Sequence, residues 1–319
     1  MSSHKKFIVS HAPFLHNGSG VAERNYNNIV ALIPAVLMGL AFFGISALGV
    51  LCMAVSSAVI WELLFNLAAK RPISVADGHA AMIGLILGLL LPATAPFWVV
   101  ITGTFLAIVI GKQIFGGIGA NPFCPPALAY AILTISWKSY LDFDAQLIHF
   151  DFDFTPFYIP VAIKAFGTEA LANVKLGDLI VGRQVGGIGT TSGLALLLGG
   201  VYLIARGFKR WEIPVAFIAG LVITATFFHM ANPAVYAGPF IHLFTGFTLI
   251  GAFFLATDDS ASPVNPAAMA IYGAAGGVMT ILIRNIGQYP DGVIFAILLI
   301  NLINPLVDKI RPKAIGKVA

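Results

Sequence analysis

Charge is scarce in this chain. Of 319 residues only 10% are charged, against 58% hydrophobic, and the mean hydropathy is +0.91. Soluble domains carry about 25% charged residues, so a single water-soluble core is excluded and an integral membrane protein is expected. Cysteine is scarcer still. Cys52 and Cys124 are too few for a four-thiolate zinc or iron–sulfur centre within the chain, and they read as thiols packed among helices. The opening stretch MSSHKKFIVSHAPFLHNGSGVAERNY has no apolar run of the kind a cleavable signal peptide requires. No Rossmann fingerprint follows a strand, so a dinucleotide site of that kind is not expected within the chain. His79, His229 and His242 show no helical metal-ligand spacing and read as packed or interfacial residues. The net charge of +4 does not indicate nucleic acid, because the basic residues stand singly or in short clusters beside apolar segments.

What the chain has in abundance is apolar sequence. Ten segments are long enough to cross a bilayer straight, tilted or broken. They centre on 29–44, 46–68, 79–92, 97–112, 124–137, 190–206, 212–230, 239–256, 265–283 and 291–307. The boundary between the first two is soft around Gly44, and Pro92 stops the third. With the N-terminus inside, Lys138, Lys164, Lys175, Arg183 and Arg284 lie outside and the other thirteen of the 18 basic residues lie inside. That asymmetry places both termini in the cytoplasm. Trp61, Trp98, Trp137 and Trp211 fall near segment ends, where indole favours the interface.

This orientation leaves one long outer loop, 138–188, rich in aromatic residues. It divides the spans five and five. An odd number per half makes the second half run opposite to the first, which is the arithmetic of an inverted repeat. GLILGLLLPATAP closes the third span and GFTLIGAFFLATDDSASP the eighth; both end at a threonine and a proline. The expected fold is therefore an all-α polytopic membrane protein, about ten transmembrane helices in two inverted five-helix repeats. Its parts are a cytoplasmic segment 1–26, a first repeat 27–137, the outer loop 138–188, a second repeat 189–307 and a cytoplasmic tail 308–319.

Three stretches suggest chemistry. In GKQIFGGIGANPFCPPALAYAIL, Gly116, Gly117 and Gly119 permit tight backbone before the helix that Pro125 and Pro126 start. In GDLIVGRQVGGIGTTSGLALLLGG, Gly186, Gly187 and Gly189 lead into Thr190, Thr191 and Ser192 and then an apolar helix. Free N–H groups and hydroxyls there suit a phosphate or another polar ligand edge, though the same residues also serve as plain helix caps. In FFLATDDSASP, Asp258 and Asp259 stand at the end of the eighth span. They are solvated interfacial residues, supports of a helix break, or part of a cation path. Asp258 is the candidate for the path, Asp77 its counterpart in the first repeat, and Asp259 is expected to point toward water.

Together these blocks, with YPDGVIFAILL at 289–299, resemble the RnfD/NqrB family in order across roughly 26–316. Its members are membrane subunits of ion-pumping ferredoxin–NAD and NADH–quinone oxidoreductases. The resemblance implies a flavin-carrying subunit of an Rnf complex in a bacterial or archaeal cytoplasmic membrane. Such a protein passes electrons between ferredoxin and NAD, coupled to Na+ or H+ movement. Its implied partners are the other Rnf subunits, including those bearing iron–sulfur clusters, NAD and a second flavin, besides membrane lipid; nucleic acid is not among them. In the family an outer-loop threonine before proline takes FMN through a phosphoester bond, and here Thr155 is the positional match. Phe150, Phe152, Phe154 and Phe157 are candidates to wall the flavin ring. A second, noncovalent flavin such as riboflavin is implied between the repeats. The chain departs from the family pattern at Cys124, at Thr190 and in Asp153–Phe154 before the threonine. The rival reading is a channel or uniporter of the five-plus-five fold, urea-channel-like and without redox chemistry.

Overall fold

Helices form wherever apolar runs are long and proline or glycine bounds them. The computed structural model describes residues 20–148, 157–171 and 174–310, and among these the regular structure is all helical. Thr155 lies outside the described residues, as do Phe150, Phe152 and Phe154.

Helix α1 (Val21–Ala68) covers the first two apolar segments and breaks between them at Gly44, where φ is 60° and ψ −139°. Then follow α2 (His79–Leu90) and α3 (Phe97–Phe105), which widens into a π-helical stretch at Leu106–Gln113. Helix α4 (Pro125–Ser136) starts on its two prolines, whose missing N–H groups would have no helical partner there. Short helices α5 (Ile159–Phe166) and α6 (Leu176–Val181) occupy the long loop. The second half holds α7 (Gly193–Ala205) and α8 (Glu212–Ala231). Next come α9 (Pro239–Phe244) and α10 (Thr248–Ile250), the latter continuing as a π-helical turn at Gly251–Leu255. Helices α11 (Pro266–Asn285) and α12 (Val293–Val307) complete it. Val21–Ala68, Glu212–Ala231 and Pro266–Asn285 are long and apolar enough to cross a membrane, and five shorter apolar helices accompany them. This is the helix content a polytopic membrane protein requires.

Two segments are interrupted inside the protein, and each break is closed by hydrogen bonds. The first follows α2. The carbonyls of Leu89 and Leu91 accept from Gly189 N–H (2.9 Å) and Ile188 N–H (3.1 Å). A side chain at Gly187 would sit 2.6 Å from the Leu90 carbonyl, so only glycine lets these backbones meet. The second lies between α9 and α10, where the apolar segment 239–256 is not one continuous helix. Thr245–Phe247 leave the helix, and Arg284 donates to the carbonyls of His242 (2.8 Å) and Thr245 (3.1 Å).

Helices α8 and α11 approach through small residues. A Cβ at Gly277 would lie 2.1 Å from the Phe217 carbonyl, and one at Gly220 would lie 2.4 Å from the Ala274 carbonyl. Close backbone approach is the usual means of helix association in lipid. Gly277→Val should therefore force the pair apart and cost about 1–3 kcal/mol. It should appear as a lower unfolding temperature in detergent, whereas Gly117→Ala, with nothing near its Cβ position, tests only its positive φ.

The connections collect at two ends. At one, Arg24 donates to the Phe208 carbonyl (2.8 Å), Asn25 to the Asp77 carbonyl (2.9 Å) and Val264 N–H to Asp308 (3.2 Å). At the other, Thr168 donates to the Ala234 carbonyl (2.7 Å), and the Tyr158 hydroxyl to Asp291 (3.1 Å).

Candidate functional site

A cavity of about 350 Å³ opens at the first end, between the start of α1, α2 and the turn after Leu255. Asp258 and His79 line it, with Cys124, Lys209 and Asn304. Asn121, from the glycine-rich stretch before α4, donates to Asp258 Oδ2 (3.1 Å). The Ser260 hydroxyl stands 2.6 Å from Asn121 Oδ1 and 3.1 Å from Asp258 Oδ2. Burial raises the Asp258 carboxyl above its usual range, and the nearby Lys209 ammonium opposes that shift. Among the described residues, three buried atoms in this lining have no protein partner: Arg24 Nε, His79 Nδ1 and Asn304 Oδ1. Polar residues that carry unpaired atoms thus share the lining with apolar walls such as Phe254.

Asp259 is exposed yet does not simply point to water. Its Oδ1 pairs with Arg24 (2.7 Å) and Lys209 (3.1 Å), and Lys209 also donates to the Thr257 carbonyl. It clamps the start of α1 to the turn after α10. Asp77 lies outside the cavity lining. Its Oδ1 accepts from His79 N–H (2.8 Å), one of the free N–H groups at the start of α2. Burial raises its carboxyl, and that hydrogen bond opposes the rise.

Below this end lies a buried ion pair that sequence reasoning missed. Glu62 and Lys112 are essentially fully buried and 2.7 Å apart. Glu62 Oε1 also accepts from Ser74 (2.8 Å) and Gln113 (3.3 Å). A lone carboxylate inside the apolar run AVIWELLFNLA was the available signal.

The other end holds a larger cavity of about 580 Å³. Tyr130, Phe143, Tyr158, Phe247, Tyr289 and Phe295 form its aromatic walls, and Lys138 and Ser139 also line it. The rings are packed together: Phe143 on Tyr158 at 4.7 Å between centroids, Tyr130 on Phe247 at 5.0 Å. Asp291 anchors the wall. Its Oδ2 accepts from Phe247 N–H (2.7 Å) and the Tyr158 hydroxyl (3.1 Å), and its Oδ1 pairs with Arg284 (3.0 Å). Phe157 packs instead with Ile159, Ile163 and Leu179 in a small cluster beside this cavity.

The glycine–hydroxyl block lines neither cavity. Residues 185–193 are buried. The Gly186 carbonyl accepts from Gln146 (3.1 Å), Thr190 donates to the Gly187 carbonyl (3.2 Å), and Ser192 Oγ caps α7 by accepting from Ala195 N–H (3.4 Å). Gly187 and Gly189 close the break after α2. Thr191 Oγ1 is buried, with no protein partner among the described residues.

The chain matches a family model described as the NQR2, RnfD, RnfE family over residues 8–316. It is 34% identical to a subunit of the Na(+)-translocating ferredoxin:NAD(+) oxidoreductase complex of Acetobacterium woodii, across 96% of this chain and 94% of that one. It is also 34% identical to a subunit of the proton-translocating ferredoxin:NAD(+) oxidoreductase complex of Clostridium ljungdahlii, across 95% and 94%. To a subunit of the ion-translocating oxidoreductase complex of Cronobacter sakazakii it is 32% identical, across 97% and 99%. With nearly its whole length matched, and the blocks around Asn121, Asp258 and Asp291 meeting at the ends of one helical body, the chain belongs to the NQR2, RnfD, RnfE family.

Proposed function

We propose that this chain is the RnfD-type component of an Rnf complex, a membrane-embedded carrier of two flavins that helps pass electrons between ferredoxin and NAD while the complex moves an ion. The other Rnf subunits supply the iron–sulfur clusters and the NAD site. The proposed topology is ten spans in two inverted sets of five, with both termini cytoplasmic. The two cavities then lie on opposite sides of the membrane, the Asp258 cavity inside and the aromatic cavity outside.

The aromatic cavity carries the proposal. Its volume falls within the ordinary range of small-ligand sites, about 300–1,000 Å³. Thr155 precedes Tyr158, a wall residue, by three positions, and a chain reaches no more than about 3.6 Å per residue. A group carried on Thr155 would therefore start within about 11 Å of the Tyr158 backbone, and Lys138 and Ser139 offer polar partners at the same cavity. The walls would sandwich a flat ring and exclude water; a flavin bound there would supply electron transfer. A pore needs no such aromatic chamber. The second, noncovalent flavin is assigned to the Asp258 cavity, a reading supported by the unpaired polar atoms that Arg24, His79 and Asn304 carry among its lining residues. The test is flavin content. Denatured chain should retain fluorescence in a gel, and acid extraction should release a further, noncovalent flavin. A purified chain with neither would leave the channel reading in its place.

Asp258 is proposed to lie on the ion path. The carboxylate of a half-buried, hydrogen-bonded aspartate attracts a cation by about 4 kcal/mol at 4 Å in an effective dielectric of about 20. Asp258→Asn keeps the shape and the contact to Asn121 but loses the charge. Ion uptake per electron in inverted vesicles should fall about tenfold or more. Asp259→Asn is a poor control because it breaks the clamp with Arg24 and Lys209. Glu23→Gln, exposed in the first turn of α1, is the better one. An unchanged ion-to-electron ratio in Asp258→Asn would remove Asp258 from the path.

A further inference from the structure

Behind the Arg284–Asp291 pair lies a small cavity of about 60 Å³, distinct from both larger ones. It is lined by α5 (Ile163, Lys164), the connection before α9, α9 with the residue after it (His242, Thr245) and the end of α11 (Arg284, Asn285). Among the described residues, three residues of its lining each carry a buried nitrogen with no protein partner: Arg284 Nε, Asn285 Nδ2 and His242 Nε2. Two of these side chains belong to residues more than nine-tenths buried, His242 at 3% and Arg284 at 5% exposure. Leaving such groups unpaired costs about 1–3 kcal/mol each, more for a charged one. A native protein does not bury three in one place without something to satisfy them.

The chemistry of the lining selects what that is. Arg284 Nε and Asn285 Nδ2 are donors only, and neutral histidine offers Nε2 as a third donor in one tautomer. Among the described residues no carboxylate lines the cavity, so a cation has no ligand set. Arg284 is cationic and paired with Asp291 at 3.0 Å. Lys164, whose ammonium reaches the carbonyls of Gly287 and Tyr289, leaves the surroundings one positive charge in excess. The carbonyl end of α11 is the opposing influence, and the Gly287 carbonyl just beyond it is already capped by Lys164. The volume excludes a nucleotide or a flavin, which need several hundred Å³, but exceeds the space one water needs.

We propose that this cavity binds a single monovalent anion of halide size, held by Arg284 Nε–H, Asn285 Nδ2–H and His242 Nε2–H. The anion sits against the ion pair that closes the α9–α10 break. It holds Arg284 in the orientation that caps the His242 and Thr245 carbonyls, and so steadies the wall that Asp291 shares with the aromatic cavity. The inference is independent of the flavin assignment, since none of the three nitrogens belongs to a residue lining the larger cavities.

The test uses the purified membrane complex with bromide as the probe. Crystals grown in bromide should show an anomalous peak within hydrogen-bonding distance of the three nitrogens. The unfolding temperature should rise when gluconate is replaced by bromide or chloride at constant ionic strength. Asn285→Leu should shift the halide concentration for half the effect about tenfold upward, the loss of one hydrogen bond to a charged group. His242→Leu should do the same, so the proposal stays testable if one variant fails to assemble. Ordered water in place of the anomalous peak, or a halide response unchanged in both variants, would overturn it.

Discussion

Replacing Thr155 with valine should remove the covalently held flavin proposed for this chain, while the chain still inserts and assembles. Valine reproduces the shape of threonine and exchanges only the hydroxyl for a methyl group, so a loss of flavin reports the missing oxygen that a phosphoester requires. Insertion is set by the apolar helices, which among the described residues run within Val21–Ser136 and Gly193–Val307. The contacts that place the neighbouring chain also remain. Tyr158 N–H donates to Asp144 (2.6 Å), its hydroxyl donates to Asp291, and Phe157 stays in its small apolar cluster. Fluorescence in a denaturing gel should disappear, and acid-extractable flavin, proposed for the Asp258 cavity, should be unchanged. Thr155→Ser, which keeps an oxygen, should retain some label.

Breaking the Arg284–Asp291 pair should be the most damaging change to the fold. The side chains are 3% and 8% exposed. Removing one partner of a buried pair typically costs about 3–5 kcal/mol, because the other charge is stranded. Here the cost spreads further. Arg284→Met would leave the carbonyls of His242 and Thr245 without this cap, and Asp291→Leu would remove the acceptor of Phe247 N–H and the Tyr158 hydroxyl. The double variant Arg284→Met/Asp291→Leu removes both charges and should be less destabilised than the sum of the two singles. Unfolding in detergent measures the cycle, and additive effects would show that the two charges do not depend on one another.

The apolar segments were legible because a lipid-facing or packed helix must be almost continuously apolar, and hydropathy reports that directly. Gly44 and Pro92 were legible as boundaries because glycine and proline interrupt such runs. The break at Thr245–Phe247 was not, because GFTLIGAFFL reads as uninterrupted apolar sequence and what holds it open is Arg284, 39 residues beyond Thr245. Counting basic residues by side treated Lys112, Lys209 and Arg284 as topological charges. The structure buries all three in ion pairs or carbonyl contacts, so each answers to a local partner as well as to the membrane. Asp258 was found from its place after an apolar run, but its contact with Asn121 spans 137 residues and no local pattern announces it. Of the phenylalanines near Thr155 that were the expected walls, Phe150, Phe152 and Phe154 lie outside the described residues; the described walls come from Tyr130, Phe143, Tyr158, Phe247, Tyr289 and Phe295, gathered from separate parts of the chain. The glycine–hydroxyl block resembled an anion site because free N–H groups precede a helix there. In the fold, the N–H groups of Ile188 and Gly189 meet the carbonyls that α2 leaves open.

Mass spectrometry of the wild-type peptide containing Thr155 tests the two-flavin reading most directly. The chain should be produced in cells that attach flavin to their own proteins, then digested without reduction of the flavin. The expected result is a peptide heavier by one esterified FMN, with fragmentation placing the added mass on Thr155 and none on the valine variant. An unmodified peptide at full yield from such cells, or the added mass on another residue, would contradict it.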